Sequence, residues 1–219
     1  MWKSFKRKVA AWIPEHVSPK FVVWAYMLLD LICIVRKPII RQNFIHNSEH
    51  IAKNDTPLRG GYIENQNEWG NIHFGKTTMA FAGCEVFAIY NIFRALGKGE
   101  GPQKILELIK DFEKKGASLQ GWMGTSPMAL KRYISKHGIQ NRLVWKADNL
   151  NNPRLAIVTV YNNKKDLYSQ IHTVAFTKEE DGYVAHNANC GHTGCEYLKD
   201  AINHLGTDPK LICAIEIRE

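Results

Sequence analysis

The apolar residues of this chain change their spacing once, and that change limits how a core can be assembled. Before Gly138 they recur at three and four residues; from Leu155 onward they fall in short β-branched runs. Residues 84–96 put Val86, Phe87, Ile89, Ile92, Phe93 and Leu96 on one helical face, with Gly97 as the stop. A second helix opens at Pro102, carries Ile105, Leu106, Leu108, Ile109 and Phe112, and ends before Gly116. A third has Ser126 as N-cap, Pro127 at its first position, Leu130, Tyr133 and Ile134 on a face, and Gly138 beyond its end. Strands follow at 155–161, at 171–176 and 183–186 across the turn signal Glu180-Asp181-Gly182, and at 211–217 after a short helix near 197–205. Helices first and mostly antiparallel strands afterwards predict one α+β domain over residues 61–219.

The net charge of +8 suggests a nucleic-acid binder until it is located. Residues 1–41 hold Lys3, Lys6, Arg7, Lys8, Lys20, Arg36, Lys37 and Arg41 against only Glu15 and Asp30, while the rest of the chain is close to neutral. A neutral body with a basic N-terminal arm argues against a nucleic-acid partner. The arm is also apolar: Trp2, Phe5, Val9, Trp12 and Ile13 recur at helical spacing between the basic residues. Residues 21–35 are then apolar except for Asp30. As a helix that stretch spans roughly 22 Å, short of the roughly 30 Å hydrocarbon core of a bilayer. Three readings stay open: a helix packed on the main domain, a basic amphipathic anchor on an anionic membrane surface, and a short or tilted span. Residues 42–61 are polar and end in Pro57-Leu58-Arg59-Gly60-Gly61, which reads as a linker, so 1–60 forms an arm and linker ahead of the domain.

The chemistry centres on Ala82-Gly83-Cys84-Glu85, where a small-residue turn puts Cys84 at the head of an apolar helix. Partial positive charge at a helix N-terminus lowers a thiol's pKa and makes it a nucleophile. Such a thiolate needs a base, and the base an orienting group. His172 lies near the start of one strand, and Asn187 lies across the hairpin, where its amide would hold the imidazole; Asn189 is the alternative. Singly, these are a core cysteine, a strand histidine and a turn asparagine. Their order in one domain gives them a catalytic reading.

Tyr62-Ile63-Glu64-Asn65-Gln66-Asn67-Glu68-Trp69, then Gly75, Thr77 and Ala82-Gly83-Cys84, resembles the opening of papain-like cysteine peptidases related to the double-glycine leader (bacteriocin-processing) peptidases. The resemblance continues through Gly124-Thr125-Ser126, Lys136-His137-Gly138, the His172 strand, the strand ending at Asn187 and the final apolar strand, so it covers 61–219 but not 1–60. It implies a papain-like α+β fold, Cys84 as nucleophile, His172 as general base and then acid, and Asn187 as orienter where the family commonly has Asp. It also implies Gln66 as a donor to the oxyanion beside the Cys84 backbone N–H, a peptide or protein substrate, and no cofactor or metal. Glu85 departs from the family's Gly, and a carboxylate there opposes thiolate formation unless it points away.

Cys190-Gly191-His192-Thr193-Gly194-Cys195 offers three ligands in one loop, an incomplete set for a tetrahedral structural zinc site, and three readings stay open: a metal, a redox-active or disulfide pair, and incidental thiols. Cys33 and Cys213 read as core. Gly60-Gly61 is either a flexible linker or a site at which the enzyme removes its own arm. Beside a peptidase, two other functions fit: another Cys-His acyl-transfer enzyme (amidase, deconjugase or toxin-type), or a catalytically silent module that binds peptide or membrane. Unpaired cysteines favour the cytoplasm, the basic arm a place at the periphery of its membrane, and the resemblance leaves secretion open; the oligomeric state is not legible.

Overall fold

The computed structural model of the protein describes residues 2–32, 34–163, 170–188 and 190–218; Cys33 and Asn189 therefore lie outside the described residues. Three helices come first: α1 (Trp2–His16), α2 (Pro19–Ile32) and α3 (Lys37–Lys53). A small hairpin of β1 (His73–Phe74) and β2 (Thr77–Thr78) leads to α4 (Met79–Ala82) and α5 (Cys84–Ala95). Then come α6 (Pro102–Lys114) and α7 (Pro127–Lys136), followed by β3 (Gln140–Val144), β4 (Leu155–Tyr161), β5 (Ile171–Glu179), β6 (Gly182–His186) and β7 (Gly191–His192). The short α8 (Leu198–Ala201) precedes the last strand, β8 (Lys210–Arg218). The fold is α+β: one six-stranded sheet in the order β3-β8-β4-β5-β6-β7, with every neighbouring pair antiparallel.

Helix α5 forms the centre. Every residue from Cys84 to Phe93 is buried, not only the single face read from the sequence. A helix apolar all round must be enclosed, and α5 is: Phe87, Ile89 and Phe93 share a core with Ile157, Ala175 and Ile215 of the sheet and with Ile105, Phe112, Leu130 and Ile134 of α6 and α7. Fully burying one such side chain contributes about 1.5–3 kcal/mol. The opposite sheet face packs Val158, Phe176, Tyr183 and Ala214 against Leu198, Ile202 and Leu205. Strand β4 is buried along its whole length because it has cover on both faces.

The first three helices are docked on this body. Val23 of α2 sits in a cluster with Tyr161, Ile212 and Cys213, so the packed reading of the arm is the observed one. The buried Asp30 carboxylate accepts hydrogen bonds from Ser118 and Ser126, the latter being the N-cap of α7. Gln170 donates to the Ala10 carbonyl, and Lys210 pairs with Glu15. No helix among the described residues is long and apolar enough to cross a membrane.

Two regions differ from the sequence reading. Residues 42–53 are not linker but most of α3, whose buried residues are Ile40 and the amides Asn43 and Asn47. Asn43 donates to the Gly75 carbonyl at 2.8 Å and to Glu113 at 2.5 Å, while Asn47 exchanges two hydrogen bonds with the His73 backbone, at 2.9 and 2.8 Å. A helix that docks through asparagines shows little apolar periodicity. Strand β3 was also missed: it is an edge strand led by Gln140, Asn141 and Arg142, of which only Val144 is buried. Gly60 and Gly61, both at positive φ, form a tight turn closed by two hydrogen bonds between Arg59 and Tyr62. A Cβ on Gly61 would stand 2.5 Å from Arg94 Nε, so that glycine answers to a close approach as well as to the turn.

Candidate active site

The chain between α4 and α5 turns so tightly at Gly83 that a Cβ there would lie 2.5 Å from the Met79 carbonyl oxygen. Only glycine fits, and the turn leaves Cys84 as the first residue of α5, where main-chain N–H groups have no partner in the helix's own ladder. Helix α5 lies along β5, and the Cys84 sulfur hydrogen-bonds the main chain at Thr173, the residue after His172. Cys84, His172, Gln66 and Asn187 line one cleft of about 530 Å³, with Phe81 and Ala188 among its other walls. The half-exposed Phe81 ring meets the Trp122 ring edge-on at 5.9 Å.

His172 is the second residue of β5, opposite Val160 of β4. Its Nε2 lies 2.8 Å from the main-chain carbonyl oxygen of Asn187. A carbonyl only accepts, so Nε2 carries the proton and Nδ1 of the neutral ring carries the lone pair. The orienting group is thus the Asn187 backbone, not the side-chain amide expected from the sequence. The reason is conformational: Asn187 has φ +62, a left-handed geometry that asparagine tolerates, and this turns its carbonyl toward the imidazole. Its side chain faces Gln66 instead, accepting from the Gln66 backbone N–H at 2.8 Å and donating to Gln66 Oε1 at 3.2 Å. Gln66 Nε2 in turn donates to the Ala80 carbonyl at 2.8 Å, just ahead of the Gly83 turn.

A second layer holds this arrangement. Glu64 Oε1 accepts from His186 Nδ1 at 2.7 Å, and Glu64 Oε2 accepts from the Asn187 backbone N–H at 3.3 Å. His186 Nε2 meets Thr177 Oγ1 at 3.0 Å, and its ring stacks on Tyr62 with centroids 4.1 Å apart. Glu64 was not singled out from the sequence. Its partners lie 122 and 123 residues away, and pairing at that separation leaves no local pattern.

The electrostatics correct the expected low thiol pKa. Burial pushes the Cys84 thiol well above its ordinary range, and the neighbouring Glu85 carboxylate adds to the shift; the hydrogen bond to Thr173 only offsets part of it. Glu85 does not point away. It is buried, its own pKa is pushed up to about 7 by burial, and its Oε2 has no hydrogen-bond partner. Tyr26 of α2 completes this pocket: burial first, then the charges of Glu85 and Cys84, raise its hydroxyl well above the usual tyrosine range. Burial lowers the pKa of His172, opposed by the bond to the Asn187 carbonyl. Both shifts favour a resting pair of neutral thiol and neutral imidazole over an ion pair.

The Cys190–Cys195 loop does not gather its three ligands. His192 bonds Asp181 at 2.7 Å, Cys195 Sγ lies 3.4 Å from His204 Nε2, and Cys190 lines the cleft. Cys84, Cys190, Cys195 and Cys213 are all free thiols. Among the described residues, Glu179, Asp181 and His192 bring ligand atoms within 4.8 Å of one another, exposed at the sheet's rim and outside the cleft's lining. No family model, curated protein or solved structure matches the chain.

Proposed function

We propose that the protein is a papain-like cysteine peptidase that hydrolyses peptide bonds through Cys84, with His172 as its acid–base group. One observation carries this reading: Cys84 heads a helix in the same cleft as a histidine whose Nε2–H is tied to the Asn187 carbonyl. With Nε2–H anchored, Nδ1 takes the Sγ proton as the sulfur attacks the scissile carbonyl carbon. Because the resting pair is neutral, this proton moves with the attack. The oxyanion is met by the Cys84 backbone N–H and by Gln66, whose amide nitrogen bears two hydrogens, one of them engaged by Ala80. The imidazolium then gives its proton to the departing amine, leaving a thioester on Cys84. Water, deprotonated by His172, hydrolyses that thioester and restores the thiol.

The Glu85 carboxylate beside Cys84 favours a second reading, a silent module that binds peptides in the same cleft. A peptide library incubated with the protein and with Cys84→Ala separates the two. New termini made by the wild type and absent from the variant are the expected result. Identical peptide pools overturn hydrolysis, and equal peptide retention by both proteins then identifies the module. Amine adducts in place of new acids would identify an acyl transferase.

A further inference from the structure

Helix α2 has two apolar faces, and the body of the protein covers one of them. Val23, Tyr26 and Asp30 point inward, to strands β4 and β8, the Cys84–Glu85 pocket and the two serines. Phe21, Trp24, Leu28 and Leu31 recur at intervals of three and four residues, which places them on one stripe roughly opposite. They are 56, 56, 42 and 79% exposed. Trp12 of α1 and Ile34 beyond α2 are exposed as well. A helix that serves only as packing needs one apolar face.

The charges around this stripe indicate what covers it. Exposed Lys20 precedes it, exposed Arg36 and Lys37 follow it, and Arg7 and Lys8 are exposed on α1. Of the two acids of this region, Asp30 is buried against Ser118 and Ser126, and Glu15, which is exposed, is neutralised by its ion pair with Lys210. The outer surface is therefore apolar and aromatic with basic ends. A second copy of the chain would oppose like charges there, whereas a bilayer with anionic headgroups satisfies both features. Tryptophan side chains suit the headgroup level of such a bilayer.

We propose that the outer face of α2 seats the protein on an anionic lipid bilayer, lying in the interface without crossing it. The proposal does not depend on the peptidase reading. Its test is flotation of the full chain with phosphatidylcholine vesicles, with and without phosphatidylglycerol. Binding is expected to the anionic vesicles, to weaken with added salt, and to fall about tenfold or more in a Trp24→Gln/Leu31→Gln variant. A Lys20→Gln/Arg36→Gln/Lys37→Gln variant, which leaves the apolar stripe and the core intact, is expected to lose the preference for anionic vesicles. Failure of the wild type to float overturns the proposal, as does equal binding to neutral vesicles or unchanged binding by both variants. A lipid-free dimer that the Trp24/Leu31 variant dissociates overturns it in favour of a second copy.

Discussion

The two halves of the cleft are finished to different standards. On the His172 side nearly every polar atom is engaged: imidazole to Asn187, Asn187 to Gln66 and Glu64, Glu64 to His186, His186 to Thr177. On the Cys84 side a buried carboxyl keeps an unpartnered oxygen next to a thiol that burial already holds protonated. A satisfied network fixes one geometry, and a buried acid that keeps one oxygen unpartnered beside a buried thiol carries an electrostatic cost when either group ionises. The imidazole is thus held in one orientation, while the thiol stays neutral until something takes its proton.

The largest test of this contrast removes the imidazole. His172→Ala is expected to lower kcat/KM for a cleaved peptide by about 10²–10⁴-fold, with peptide retention little changed. A residual rate near that of the wild type would mean that Cys84 ionises without the imidazole. Next in size is Glu64→Ala, which frees His186 and the Asn187 N–H. Here kcat is expected to fall by up to about 100-fold, as misplacement of a catalytic group costs, with KM nearly constant and Cys84 alkylation slowed in parallel. An unchanged kcat would show that the outer layer does not hold the imidazole.

A smaller effect, of opposite sign, is expected on the other side. Glu85→Gln keeps the shape but not the charge, so it lowers the Cys84 thiol pKa. The Glu85 carboxyl ionises near 7, so the gain in iodoacetamide labelling should be small below that pH and grow as the pH rises through it. A gain independent of pH would show that the side chain acts through packing. The smallest effect is a displaced midpoint. The lowered His172 pKa means the ring becomes a competent base on the acid side of the ordinary histidine value of about 6.5, so the acid limb of kcat/KM should lie below that pH. A limb above it would indicate an ion-paired site.

What could be read in the sequence follows the same division. Ser126 caps α7 by accepting from the Ala129 N–H at 3.2 Å, and Pro127 opens that helix, because capping is local chemistry. The residues chosen for catalysis meet in one cleft because Cys84 is marked by its glycine turn and His172 and Asn187 by a hairpin. The function of Asn187 was not legible, since a carbonyl carries no residue identity and only its φ reveals where it points. The part of the raised thiol pKa that comes from Glu85 was legible in the adjacent residue, whereas the burial that contributes most was not, because it is made by elements far away in the chain. Helix α3 and strand β3 were lost because their inward sides hydrogen-bond or lie at an edge, and hydrophobic spacing reports neither.

The docking of the first helices also sets a timetable. Ala10 waits for Gln170, 160 residues later, and Asp30 waits for Ser118 and Ser126, 88 and 96 residues later. At roughly 5–20 residues per second of synthesis, the interval before Gln170 is made is on the order of ten seconds. Throughout it, both apolar faces of α2 stand uncovered beside the ribosome. Whatever engages α2 during translation does so before the cleft exists.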